Sequence, residues 1–310
     1  MGDRKNLVTV LGHTAAGKTR FAAILAHHLG GEIISADSRQ VYRGMDLGTG
    51  KDYGDYLVGG KRVPVHLVDI AEAGEEYNVF RFRQDFEEVY RRIREKGKIP
   101  VMCGGTGLYL ESVLRNYRMA DVPVNRALRE ELEGKDMETL RGILGQFGPL
   151  HNVTDTGSRV RLVRAIEIAM HPDDQEDWMG EGDIPLSSRT TVLGIRYDRE
   201  SRRQRITLRL EARLSGGLVE EVQGLLNEGI APEKMEYYGL EYRYVTRYLN
   251  GELTYEEMFR KLNTAIHRFA KRQMTYFRGM EKRGVPIHWL EGDMPLDEKI
   301  EIALAFIAAT

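Results

Sequence analysis

The chain has 310 residues, 42% hydrophobic and 30% charged, with 45 Lys+Arg against 47 Asp+Glu. A net charge of −2 excludes a wholesale electrostatic affinity for nucleic acid, so any such surface must be local. No apolar run approaches the ~18 residues of a membrane span, and a lone cysteine, Cys103, excludes an intrachain disulfide and a cysteine-built metal cluster. No membrane association and a cytoplasmic location are expected.

Residues 1–6 lead straight into an apolar run, so no signal peptide is expected. That run, Leu7-Val8-Thr9-Val10-Leu11, reads as a strand. It is followed by Gly12-His13-Thr14-Ala15-Ala16-Gly17-Lys18-Thr19, a full match to G-x-x-x-x-G-K-[ST], and then by the helix-like Arg20-Phe21-Ala22-Ala23-Ile24-Leu25-Ala26. In that setting the glycines let backbone N–H groups turn inward around phosphate oxygens. Lys18 adds a point charge, and Thr19 adds a hydroxyl suited to Mg²⁺. A di- or triphosphate is therefore expected here, but the loop alone does not say which one or what is done to it.

Gly30-Gly31 ends the helix, and residues 32–37 form a second strand. Residues 63–69 offer a further apolar run that ends in Asp69, in the manner of a Walker B acid. Residues 80–95 read as an amphipathic helix. Residues 99–103 are a buried strand running into Gly104-Gly105-Thr106-Gly107-Leu108-Tyr109, a second Gly-rich turn that opens a helix. Such alternation argues an α/β fold of the P-loop NTPase type, a parallel sheet flanked by helices. Three polar loops follow three strands, where ligands of open α/β sheets bind.

From about residue 122 the pattern becomes helical, over 128–144 and 158–170. Residues 171–188 then carry acidic clusters, two Gly and two Pro, and read as a loop. Strand character returns at 190–195. The expected division is thus a core of residues 1–120 and 190–310, with an all-helical insertion at 121–189. Helices follow at 199–214, 218–228, 242–249 and 254–278.

Several groups carry chemistry. Asp37, followed by Ser38, Arg39 and Gln40, ends the second strand beside the P-loop, where a carboxylate serves as a general base, a Mg²⁺ ligand or a helix cap. Thr106 and its glycines either supply a hydroxyl and N–H groups to a second substrate or simply make a close-packed turn. Arg202, Arg205, Arg209 and Arg213, spaced 3, 4 and 4, form one helical stripe. Most of that stripe reads as a solvated face, with one or two guanidiniums free to bind phosphate bidentately. Arg159, Arg161 and Arg164 cluster in the insertion. Residues 267–278 mix cations, including Arg272, with aromatic side chains, a combination that suits phosphates and unstacked bases. The eight histidines show no zinc-ligand spacing, and no nucleophile elbow is present.

Together these motifs resemble the tRNA dimethylallyltransferases (tRNA isopentenyltransferases) of bacteria. The matching pieces are residues 12–19, residues 31–49 around Asp37-Ser38-Arg39-Gln40, residues 63–70, residues 104–109, Arg164-Ala165-Ile166-Glu167, Ala270-Lys271-Arg272-Gln273 and Thr275-Tyr276-Phe277-Arg278, in the family's order. The resemblance implies transfer of a dimethylallyl group from dimethylallyl diphosphate to N6 of the adenosine just 3′ of the anticodon, in tRNAs reading codons that begin with U. It implies a diphosphate site at residues 12–19, His13 included, with Arg209, where N–H groups of residues 14–19, Lys18 and a Mg²⁺ held by Thr19 stabilise the departing diphosphate; Asp37 is implied as general base, with Lys18 and Thr106 as further catalytic residues. It places Asp37, Ser38, Arg39, Gln40, Thr106, Arg129, Arg159, Arg161, Arg272 and Gln273 against tRNA, as anticodon stem-loop contacts. A monomer is expected.

The chain departs from the family pattern at Gly50-Lys51-Asp52 (usually Ala-Lys-Pro), at Gly157-Ser158, across 171–183, and at Glu241-Tyr242-Arg243-Tyr244 (usually Gly-Tyr-Lys-Glu). These departures are expected on the tRNA side. Two other enzymes would share the loop and Asp37: an isopentenyltransferase acting on free AMP, ADP or ATP, and a P-loop small-molecule kinase.

Overall fold

A computed structural model describes residues 7–117, 122–147, 158–171 and 190–309. Period-two alternation sorts the central strands between two cores. In β1 (Leu7–Gly12), Leu7 and Leu11 face one side of the sheet while Val8 and Val10 face the other. β2 (Glu32–Ser35), β6 (Pro100–Gly104) and β7 (Thr190–Arg196) divide in the same way, with Ile34, Met102 and Val192 on the first side and Ile33, Val101 and Leu193 on the second. These strands are buried on both faces, as a parallel sheet covered by helices requires.

The short β5 (Val65–His66) and β8 (His288–Glu291) complete a six-stranded sheet in the order β5-β2-β6-β1-β7-β8, parallel throughout. A two-stranded hairpin, β3 (Leu57–Val58) with β4 (Lys61–Arg62), follows a 3₁₀ turn at Tyr53–Tyr56. On the second face lie α1 (Lys18–Leu29) and α12 (Leu296–Ala309). On the first lie α2 (Val79–Glu95) and α3 (Gly107–Leu114), together with α7 (Arg199–Ser215), α8 (Leu218–Asn227), α9 (Pro232–Tyr238), α10 (Leu240–Leu249) and the 28-residue α11 (Tyr255–Lys282).

The chain divides into two compact units, residues 1–115 with 185–310, and residues 116–184. In the second, α4 (Arg126–Leu132), α5 (Met137–Gly145) and α6 (Arg159–Ala169) enclose their own core of Leu128, Leu132, Leu140, Leu144, Leu162 and Ile166.

Three features differ from the sequence expectation. The single helix expected over 128–144 is two, because Gly134 is left-handed (φ 85°) and Asp136 caps the new start by accepting the Thr139 N–H at 2.8 Å. Helix α9 was signalled only by Pro232 at its first position, and β8 and α12 carried too weak a pattern to be read. The run at 63–69 is a strand only at Val65–His66. It is broken by positive φ at Leu67 and Asp69, so Asp69 does not end it. The acidic loop expected at 171–188 lies outside the described residues after His171. Among the described residues no helix is long and apolar enough to cross a membrane.

At the end of the sheet opposite the loops, Glu32 is almost fully buried and takes Lys98 at 2.7 Å and His66 at 2.7 Å, with Lys96 at 3.4 Å. Burial pushes its carboxyl up, but the hydrogen bonds from Lys98 and His66 outweigh that and hold it at about 2. A depressed carboxyl stabilises the fold above its unfolded value near 4.5 and loses that contribution as pH falls towards 2. Glu32→Gln is therefore expected to lower the thermal midpoint at pH 7. The gap from the parent should narrow steadily in melts taken between pH 4.5 and pH 2.

Candidate active site

β1 delivers the chain at Gly12 into a loop shaped by two left-handed residues, Ala15 (φ 62°) and Gly17 (φ 75°). Turns of this kind aim successive N–H groups into one concavity. Helix α1 starts at Lys18, so its first-turn N–H groups lack intrahelical partners and open towards the same space. The loop is strapped from outside by Arg205, whose Nε donates to the Ala15 carbonyl at 3.1 Å while its guanidinium lies 4.6 Å over the Tyr197 ring. His13, expected among the phosphate-binding residues, has its imidazole turned inward and fully buried. Its Nδ1 donates to the Thr14 carbonyl at 2.6 Å, and burial drives its pKa down to about 4. The ring is therefore neutral at pH 7 and brings no charge to an anion.

β2 and β6, the next strands outward from β1, supply the other two loops. β2 runs into Asp37, whose Oδ1 accepts the Arg39 N–H at 3.0 Å. That bond closes a turn and no helix follows, which removes the helix-cap alternative. Thr106 stands at the N-cap of α3 without capping it. Its Oγ1 instead accepts the Ser38 N–H at 3.0 Å, tying the second loop to the third. The two loops lie this close because Gly104 has no Cβ, which would overlap the Ala36 carbonyl. Arg39 lays its guanidinium 4.8 Å over the half-exposed ring of Tyr237.

The two glutamines expected at the tRNA face point inward. Gln273 is buried on α11. Its Oε1 accepts the Thr14 N–H at 2.8 Å, and its Nε2 donates to the Gly105 carbonyl at 2.9 Å. It thereby joins the two glycine-rich loops, and it also removes Thr14 from the N–H groups open to a ligand. Gln40 is likewise buried, accepting from Ser35 Oγ at 3.2 Å and donating to the Gly50 carbonyl at 3.0 Å. Arg272, the neighbour of Gln273, faces solvent, 5.9 Å over the Phe269 ring.

Charge converges on the cleft. Burial lowers the pKa of Lys18, Asp37 partly offsets this, and Arg209 and Arg213 add to the lowering. Arg209 is held by Asp52 at 2.9 Å. Asp69 is not available as a Walker B acid: it follows the edge strand β5, which two strands separate from β1, and its carboxylate is taken by Lys51 and Tyr53.

In the second unit, Arg129 grips Glu167 with two bonds, at 2.7 and 2.9 Å, and Arg159 donates to the Leu132 and Lys135 carbonyls at the end of α4. Both were expected on tRNA, and both side chains are engaged within their own unit. Arg161 is exposed.

Residues 40–280 match the family described as IPP transferase. The chain belongs to that family. It is 52% identical to tRNA dimethylallyltransferase 1 of Porphyromonas gingivalis over 98% of this chain and 99% of that one. It is 54% identical to tRNA dimethylallyltransferase 2 of Bacteroides fragilis over 95% of each. Among solved structures, the full-length tRNA isopentenylpyrophosphate transferase of Bacillus halodurans superposes with a TM-score of 0.71 at 30% identity, covering 99% of this chain and 96% of that one.

For an IPP transferase, then, three loops at adjacent strand ends are brought together with Lys18, Thr19, Asp37, Ser38 and Thr106. The stripe on α7 was visible in the sequence as a 3-4-4 spacing. Spacing alone did not reveal that Arg205 holds the P-loop while Arg209 and Arg213 lie near enough to Lys18 to lower its pKa. The clamp made by Gln273 left no local signal, since its partners are 259 and 168 residues away. Gln273→Leu leaves a buried N–H and a buried carbonyl without partners. It is expected to destabilise the protein by about 1–3 kcal/mol in urea unfolding.

Proposed function

We propose that this chain transfers the dimethylallyl group of dimethylallyl diphosphate to N6 of the adenosine 3′-adjacent to the anticodon of tRNAs reading codons that begin with U, releasing diphosphate. The observation that carries the reading is one carboxylate, Asp37, near the ammonium of Lys18 at the mouth of a phosphate-cradling loop. The same loop, lysine and carboxylate would also suit a kinase. The family match and the names of the relatives favour the alkyl transfer over the kinase and the free-nucleotide enzyme.

In this reading the diphosphate lies against the N–H groups that open α1, with Lys18 and Arg209 as counter-charges. Donors fixed in place before reaction are worth most where charge develops, here on the departing diphosphate. Asp37 accepts the proton that N6 loses as it attacks the allylic carbon, a step that helps a poor nucleophile. The link between Ser38 and Thr106 sets the wall of the base pocket, into which the adenine must be extruded from its stack. Among the described residues no three His, Cys, Asp or Glu side chains cluster to hold a metal by themselves. That donor set fits Mg²⁺, which commonly takes one or two protein oxygens and completes its shell with substrate phosphates and water. The Thr19 hydroxyl would hold it. When bound, it would supply charge neutralisation to the leaving diphosphate.

Of the three insertion arginines assigned to tRNA, Arg161 is the one left open to tRNA phosphates, because Arg129 and Arg159 are committed internally. One chain carries all three loops, which supports action as a monomer. The cytoplasm is where its tRNA substrate would be met.

Labelled dimethylallyl diphosphate incubated with an anticodon stem-loop or with AMP tests the reading. Label is expected on the stem-loop, and label on AMP alone would refute it. Asp37→Asn is expected to slow transfer by about 10²–10⁴-fold while diphosphate binding survives. Loss of diphosphate binding in that variant would make Asp37 a metal or loop-positioning residue instead.

A further inference from the structure

Arg213 has no part in the chemistry above, yet its side chain keeps only 11% exposure, against 28% for Arg209 one turn earlier on α7. A guanidinium withdrawn from water needs a close and well-aligned anion. Its ion-pair partner, Glu241 on α10, stands off at 3.6 Å, well beyond the ~2.8 Å of a strong charge-assisted bond. The other charges near it are Arg209, a cation, and Asp52, which is already paired with Arg209 at 2.9 Å. The backbone of Gly50 (φ 75°) is covered by both guanidiniums, so that a Cβ there would overlap Arg213 and Arg209 together. Like charges held this close, with loose compensation, create a strongly attractive place for an anion.

Charges of both signs converge on this place. Lys18 from α1 with Arg209 and Arg213 from α7 face Asp37 after β2, Asp52 from the 46–52 loop and Glu241 from α10. Asp55 adds a further carboxylate near Arg209, and the other three each have a defined position. Asp52 sits on Arg209, Glu241 stands off Arg213, and Asp37 lies near Lys18. Burial lowers the pKa of Arg213, and the neighbouring Arg209 lowers it further. The sequence departures at 50–52 and at 241–244, expected on the tRNA side, therefore meet around the two arginines that lie near the P-loop lysine.

We propose that Arg213 is a second guanidinium ligand of the diphosphate, admitted by Gly50 and held ready by Glu241, so that this cleft grips the substrate's anionic end with two arginine forks. The proposal rests on the assignment of the P-loop cleft to a diphosphate. The fork geometry of arginine matches paired phosphate oxygens, and the i, i+4 spacing of Arg209 and Arg213 puts both forks on one face of α7. The long contact with Glu241 leaves N–H groups of Arg213 to be completed by phosphate oxygens.

Calorimetric titration of the full chain with inorganic pyrophosphate and Mg²⁺ tests this. Arg213→Met is expected to weaken binding by about 10- to 100-fold, the usual effect of losing charge-assisted hydrogen bonds. The KM for dimethylallyl diphosphate should rise in parallel, and that for the stem-loop should stay unchanged. The double variant Arg213→Met/Glu241→Gln leaves no buried charge alone, and it carries the test if the single variant does not fold. It too should bind pyrophosphate weakly. Wild-type affinity in either variant overturns the proposal and makes Arg213 only the counter-ion of Glu241. A wild-type protein that binds pyrophosphate in an Arg213-dependent way but transfers no dimethylallyl group would instead overturn the functional reading and leave this assignment standing.

Discussion

Gln273 reaches from the middle of α11 to a backbone N–H in the first glycine-rich loop and a backbone carbonyl in the second. Both groups are satisfied by one planar amide, so the separation of the two loops is fixed to within hydrogen-bond tolerance. Everything in the cleft is referred to that spacing. The P-loop, further strapped by Arg205, holds Lys18. The second loop holds Thr106, whose hydroxyl in turn fixes Ser38 and so the turn that carries Asp37. A proton acceptor and a phosphate cradle on different strands thus become parts of one frame.

The opposite wall is built with equal redundancy. Glu221 accepts N–H bonds from Asp46, Leu47 and Gly48 at 3.0, 2.7 and 3.0 Å, and the Tyr242 hydroxyl at 2.8 Å. Lys51, with its side chain wholly buried, donates to the Tyr42 carbonyl, Asp46 and Asp69. Gln40 fastens the Gly50 carbonyl from the other side. A loop pinned at so many points serves as a rigid surface against which Arg209 and Arg213 are packed. Catalytic groups aimed before substrate arrives need no reorganisation when charge develops.

The buried groups near the cleft sort by protonation in a way that suits anion handling. His13 is neutral, and Cys103 is pushed up to about 12 by burial and stays a thiol. Neither adds a charge that would shift across physiological pH. The cations that remain are lysine and arginine, opposed by carboxylates drawn from three different loops and helices. That balance keeps the unliganded cleft tolerable for a folded protein while leaving it receptive to a polyanion.

The local order of the chain was legible in the sequence. Apolar runs of strand length, each followed by a glycine-rich or acidic turn, specify a parallel sheet and put residues 12–19, Asp37 and Thr106 at one end of it, because a strand fixes where its carboxyl end faces. Helix breaks such as Gly134 followed by Asp136 were written there too, although periodicity alone ran across them. Only the tertiary structure decided which of several like side chains does which task. Gln40 and Gln273 read as polar residues free for a ligand, and they are internal braces. Arg129 and Arg159 were expected on tRNA, and they hold their own helices. Arg205, Arg209 and Arg213 are equivalent by spacing, yet one straps a loop and two lie near a lysine. The reason is physical: local periodicity assigns a residue to a face, whereas its hydrogen-bond partner is set by tertiary approach, from 38 positions away for Arg129 to 259 for Gln273, and no local pattern records that approach.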